Sequence, residues 1–225
     1  MFMSLEVHIS QSLSPVEDEK FKSLAQRLSM LLATEGIYIK GYLEGLPYFS
    51  RLTEEKKKSV NQSLSFYCEL CREQMSEGYT LSDGPSFLWR ALGKLGLIPR
   101  SDLFQHFDKE AVIEIYSNES VQLFRNLNFF KYCSYSLEEL HAKEWWFNYD
   151  RDPKITEIIY DYAAKVFSGE LKENFIPQVP VHVVKEIDSQ DRLVMEVQFG
   201  VMGPLFKNKR PVAVIVTEIP RVLDN

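Results

Sequence analysis

From Val112 to Ile219 the apolar pattern changes period in a fixed order: two short alternating runs, short helical stretches, one longer helical stripe, then three more alternating runs. That order constrains the fold more than any other feature, because strand faces repeat every second residue and helix faces about every 3.6. Val112-Ile113-Glu114-Ile115-Tyr116 and Val121-Gln122-Leu123-Phe124 flank the turn Ser117-Asn118-Glu119-Ser120 and read as a hairpin. Ser136 with Glu139 three residues on reads as the capped start of a short helix. Asp152 before Pro153 caps a longer one, whose Ile155, Ile158, Ile159, Tyr162, Ala163 and Val166 form a single stripe that Gly169 ends. Val179–Ile187, Leu193–Val201 and Val212–Ile219 read as the closing strands, with turns at 188–191 and 207–210.

The first hundred residues carry the helical period instead. Ser14-Pro15-Val16-Glu17 has the cap, the proline and the acidic residue of a helix start, and Phe21, Leu24, Ala25, Leu28, Leu31 and Leu32 share one face. A second helix begins near Thr53 and runs toward Gly78 with Val60, Leu64, Tyr67, Cys68, Cys71 and Met75 as its stripe. A third comes after Asp83-Gly84-Pro85, buries Leu88, Ala91, Leu92 and Leu95, and stops at Gly96. Three amphipathic helices make a small bundle or a cap packed on the second half of the chain. Leu5, Val7 and Ile9 alternate, so 4–10 is a possible short strand, and 37–43 suits strand and helix alike. The expected organisation is a helical region over 1–106 and a second unit over 107–225.

Hydrophobic residues at 45% and charged residues at 26% give an ordinary globular balance, and no apolar run reaches the ~18–20 residues that span a bilayer. The start Met1-Phe2-Met3-Ser4 is followed by Glu6 and His8 rather than by an apolar stretch, which predicts a cytoplasmic protein without a membrane partner. A net charge of −6, with Lys56-Lys57-Lys58 directly behind Glu54 and Glu55, argues against nucleic acid. Three cysteines make no disulfide framework. Cys68 and Cys71 stand one helical turn apart on the apolar face, without a second pair, and read as core rather than metal ligands. No nucleophile elbow, His-Glu-x-x-His, phosphate loop or dinucleotide fingerprint is present, and Glu138, Glu139, Asp150 and Asp152 read as caps and turn residues. No catalytic residue is expected.

Asn126 ahead of Phe129-Phe130, then Tyr135 to Leu140, Trp145-Trp146, Asp150 to Pro153 and Ser168-Gly169-Glu170 succeed one another as such elements do in PAS domains. The C-terminal half resembles that family of sensor and interaction modules. The resemblance implies an α+β fold: the helical region, then a five-stranded antiparallel sheet with helices on one face. It departs from the family at the end, where Thr217-Glu218-Ile219-Pro220 stands in place of Asp-Ile-Thr. No catalytic output segment is expected beyond it.

The resemblance also implies a space for a small molecule between sheet and helices. Haem-binding relatives use a histidine on the long helix, but 154–168 has Tyr160 and Tyr162 and no histidine; His141 and His182 lie elsewhere. Photosensory flavin relatives use Asn-Cys-Arg-Phe-Leu, whereas Cys133 sits in Tyr132-Cys133-Ser134. Neither haem nor flavin is therefore supported. The candidate pocket residues are Phe130, Tyr132, Tyr135, Trp145, Trp146, Tyr149 and Ile159. Adjacent helical residues point about 100° apart, so at most one of the two tryptophans is expected to face a ligand. The functional expectation is a signalling protein that senses a small molecule or binds a protein partner or a second copy. A ligand-free adaptor and a small α+β enzyme with a cone-like cavity are the alternatives.

Overall fold

The computed structural model describes residues 15–108 and 110–223; the Ser14 cap and the strand expected over 4–10 lie outside them. Three helices form where the apolar stripes place them: α1 (Pro15–Ala33), α2 (Glu54–Ser76) and α3 (Gly84–Leu95). The Thr53 side chain caps α2 at the Lys56 N–H and the Asp83 side chain caps α3 at the Ser86 N–H. Gly96 ends α3 at φ 65°, a left-handed conformation that glycine adopts without steric cost. Phe21, Leu28, Leu64, Cys71, Phe87 and Leu88 are among the residues that bury the facing stripes together.

The ambiguous 37–43 tract is neither strand nor helix. Gly41 lies so close to α1 that a Cβ would come within 3.3 Å of the Ala25 carbonyl group. The Lys40 and Gly41 carbonyls accept from the Leu137 and Glu138 N–H groups, the free donors at the start of α4 (Leu137–Ala142). The Glu138 carboxylate, completely buried, accepts from the N–H groups of Leu43 (2.9 Å), Tyr48 (2.9 Å) and Phe49 (3.0 Å). One acidic side chain thus organises a loop about 90 residues away in sequence.

The strands form one curved antiparallel sheet. They are β1 (Val112–Ser117), β2 (Gln122–Arg125), β3 (Tyr149–Arg151), β4 (His182–Glu186), β5 (Val194–Lys207) and β6 (Arg210–Val222), in the order β2-β1-β6-β5-β4-β3. The expected count of five is corrected to six among the described residues. Tyr149, Asp150 and Arg151, a stretch in which Asp150 read as a cap or turn residue, pair with Glu186, Lys185 and Val184 of β4. Their neighbour Asn148 is drawn to the same edge, since its carbonyl accepts from the Ile187 N–H and the Tyr135 hydroxyl.

The helices lie on both faces of the sheet, not on one. Ile113, Ile115, Leu205, Ala213 and Ile215 pack against α1–α3, whereas Met202 and Val214 pack against Val166 of α5 (Pro153–Ser168). The continuous run Ala213-Val214-Ile215-Val216 explains this: a strand apolar on both sides needs cover on both sides. Curvature enters at a bulge in β5 between Phe199 and Met202, where the Val201 N–H donates to the Thr217 hydroxyl at 2.7 Å. A Cβ at Gly200 would come within 2.4 Å of that hydroxyl, so the bend requires glycine there. Asn208 (φ 52°) and Lys209 (φ 63°) close the β5–β6 hairpin.

Candidate functional site

Period-two alternation puts Val112, Glu114 and Tyr116 of β1 on the concave face with Val214, Val216 and Glu218 of β6. Together with α5 and residues 129–149, that face lines a partly open cavity of about 150 Å³. Its walls are mainly apolar: Val184, Val197, Phe199, Met202, Val214 and Val216 from the sheet, Ile159, Ala163 and Phe167 from α5, and the rings of Phe129, Tyr132, Trp145 and Tyr149.

Of the residues singled out in sequence, Tyr132, Trp145, Tyr149 and Ile159 line this cavity. The other three do not. Phe130 is buried in the opposite core with Leu127 and Leu137. Tyr135 is a buried strut whose hydroxyl donates to the Asn148 carbonyl and accepts from the Ile187 N–H at 3.1 Å. Trp146 is 51% exposed and meets Trp145 edge-on, because the two occupy successive positions of a short 3-10 turn that point apart. His141 and His182 do not line the cavity. Burial and the Arg125 charge push His141 down to about 3. His182 directs Nδ1 at the Pro180 carbonyl, 3.0 Å away.

The polar end of the cavity went unnoticed in the sequence. Glu114 and Arg125 are direct cross-strand partners, and Arg125 Nη2 lies 3.3 Å from Glu114 Oε1. Gln122 Nε2 donates to Oε1 at 2.7 Å and the Tyr116 hydroxyl to Oε2 at 2.9 Å, so the buried carboxylate is held by three donors. Burial first, then the Glu114 charge, holds the Tyr116 hydroxyl protonated well above its ordinary range. The Phe129 ring lies 3.7 Å from the Arg125 guanidinium carbon, a close cation–π contact. Arg151 reaches in from the edge strand, 5.6 Å from the Trp145 ring. The Nε atoms of Arg125 and Arg151 are buried without an acceptor among the described residues. One signal could have found this end: Glu114 is a charge inside the apolar run Val-Ile-Glu-Ile-Tyr, on the face of Val112 and Tyr116.

Glu218 is the group there whose protonation is most changed. It keeps some solvent contact, yet the protein atoms packed around its carboxyl, and next the Glu114 charge, push it from 4.5 up to about 7. Between those values the folded chain holds a proton that the unfolded chain has released, so stability falls as pH rises through the window. The loss is at most about 3 kcal/mol, less where solvent screens the carboxyl. Glu218→Gln should flatten the stability profile between about pH 5 and 8 and exceed the natural chain at the upper end. Urea unfolding at several pH values checks this; parallel profiles for the two proteins would contradict it.

The cysteines are structural in setting: Cys68 and Cys71 are buried in the helical core, and burial pushes Cys71 up to about 12. No group of three histidine, cysteine or acidic residues able to hold a metal occurs among the described residues, and none of their helices is long and apolar enough to cross a membrane.

No protein-family model and no curated protein matches the sequence. A solved structure of an RNA-binding light-oxygen-voltage receptor aligns with 97% of this chain at 12% identity and a TM-score of 0.33. The alignment takes in the helical region as well as the sheet, and covers 65% of that receptor chain.

Proposed function

We propose that the chain is a non-catalytic, PAS-like signalling module whose 107–225 unit senses a small molecule in the cavity between sheet and α5. The observation that carries this reading is the cavity itself: aromatic and aliphatic walls with a few convergent polar groups at one end, the usual make-up of a ligand site. The 1–106 helical region would present the resulting state to a protein partner or a second copy.

A physical path for the signal exists. Arg125 ends β2, an edge strand, so its outward backbone groups have no strand to pair with. The Tyr67 hydroxyl on α2 takes both: it accepts from the Arg125 N–H at 2.7 Å and donates to the Arg125 carbonyl at 3.1 Å. A ligand that shifts the Arg125 side chain therefore pulls on a backbone fastened to α2.

Native mass spectrometry of freshly purified protein, with a thermal-shift screen of metabolites and cofactors, tests the sensor reading; an unliganded mass and a flat screen would leave a ligand-free adaptor. Amide exchange then tests the path. A ligand should slow exchange in 54–76 as well as in the sheet, and Tyr67→Phe should abolish the first effect while costing about 2 kcal/mol for two unpaired backbone groups. Unchanged exchange in α2 would defeat the relay.

The polar cluster favours a second reading, a small enzyme using Glu218 as general acid and base. Recovery of the bound compound chemically unchanged after long incubation would decide for the sensor.

A further inference from the structure

The cavity's unsatisfied groups restrict what can occupy it. Arg125 is 8% exposed, and its guanidinium is already paired with Glu114 and stacked on Phe129, yet its Nε–H has no acceptor among the described residues. Arg151 Nε is in the same condition. Glu218 lines the same space, two residues along β6 from the partner of Glu114. A buried donor without an acceptor costs about 1–3 kcal/mol, which a ligand supplying that acceptor would recover.

Charge narrows the choice. An anionic ligand would sit beside two carboxylates, Glu114 and Glu218, and a cationic one beside two guanidiniums. A neutral group that offers one acceptor and one donor suits both sets. Size narrows it again, since about 150 Å³ with aromatic walls holds one ring.

We infer that this cavity takes a neutral single-ring aromatic compound bearing an amide-type group, whose carbonyl accepts from the free arginine Nε–H donors and whose N–H donates to Glu218. The inference rests on the sensor reading and specifies its ligand class.

Four single-ring probes separate the two ideas: toluene, benzamide, benzoate and benzamidine, titrated into the full chain by calorimetry or ligand-observed NMR. Benzamide should bind about tenfold more tightly than the other three, the worth of one well-made hydrogen bond. Arg151→Met, on the short edge strand, should remove the advantage of benzamide over toluene. Benzoate or benzamidine binding as well as benzamide would overturn the class, and so would toluene binding equally well, while the cavity itself would stand. Failure of all four to bind would remove the cavity reading together with the class.

Discussion

Replacing Glu138 with alanine should cost about 3–5 kcal/mol, enough to lower the melting temperature by about 10 °C in a chain of this length. The expectation comes from what the side chain satisfies. Three N–H groups, of Leu43, Tyr48 and Phe49, point at one carboxylate that no water reaches. Without it they become buried donors with no acceptor, in a loop of irregular backbone that cannot pair them internally. Glu138→Gln keeps the shape but turns an NH₂ toward at least one of those donors, so it should lose about half as much. Urea unfolding of the three proteins gives the order natural, Gln, Ala. Equal stability of the natural and alanine proteins would mean the loop holds its shape by other means. Because the Leu137 and Glu138 N–H groups also donate into 40–41, the alanine protein should show fast amide exchange over 37–49 before α1 or the sheet opens.

Glu138 also shows where the sequence is legible and where it is not. Ser136 and Glu139 make the capping box that their spacing announces, with the Ser136 hydroxyl and N–H both donating to Glu139 Oε2. Glu138, between them, looks equally like a first-turn acid, yet its partners lie in another part of the chain. Local signals such as Thr53, Asp83, Asp152, Gly96 and Gly169 set helix ends because cap and helix are neighbours in sequence. The strand periods likewise placed β1, β2, β4, β5 and β6, but no period marks the three residues of β3. Which helices cover which face depends on packing between distant segments, and the apolar run in β6 was the one clue that both faces are covered. Aromatic density indicated the neighbourhood of the cavity through Tyr132, Trp145 and Tyr149. Aromatic density could not separate these from Phe130, which the same short stretch turns into the opposite core. The charged end combines β1, β2, β3 and β6, and apart from the charge of Glu114 inside an apolar run such long-range meetings leave no trace in spacing.

Arg125→Met should be the second severe change, with a loss of about 3 kcal/mol or more. Removing the guanidinium leaves the Glu114 carboxylate buried opposite an apolar side chain, and a stranded buried charge costs about 3–5 kcal/mol. The Tyr116 and Gln122 donors remain, which keeps the loss toward the lower figure. The second substitution decides the cause. Glu114→Gln in the Arg125→Met background removes the stranded charge, so the double variant should recover at least half of the stability, a coupling that independent sites would not show. A double variant no more stable than Arg125→Met would mean that Arg125 contributes by packing on Phe129 and not by pairing. If the coupling is found, the ion pair stands formed before any ligand arrives. A ligand that moves Arg125 would then act against that pair, and only the part of its polar contact energy that exceeds the pair's hold would reach α2 through the Arg125 backbone.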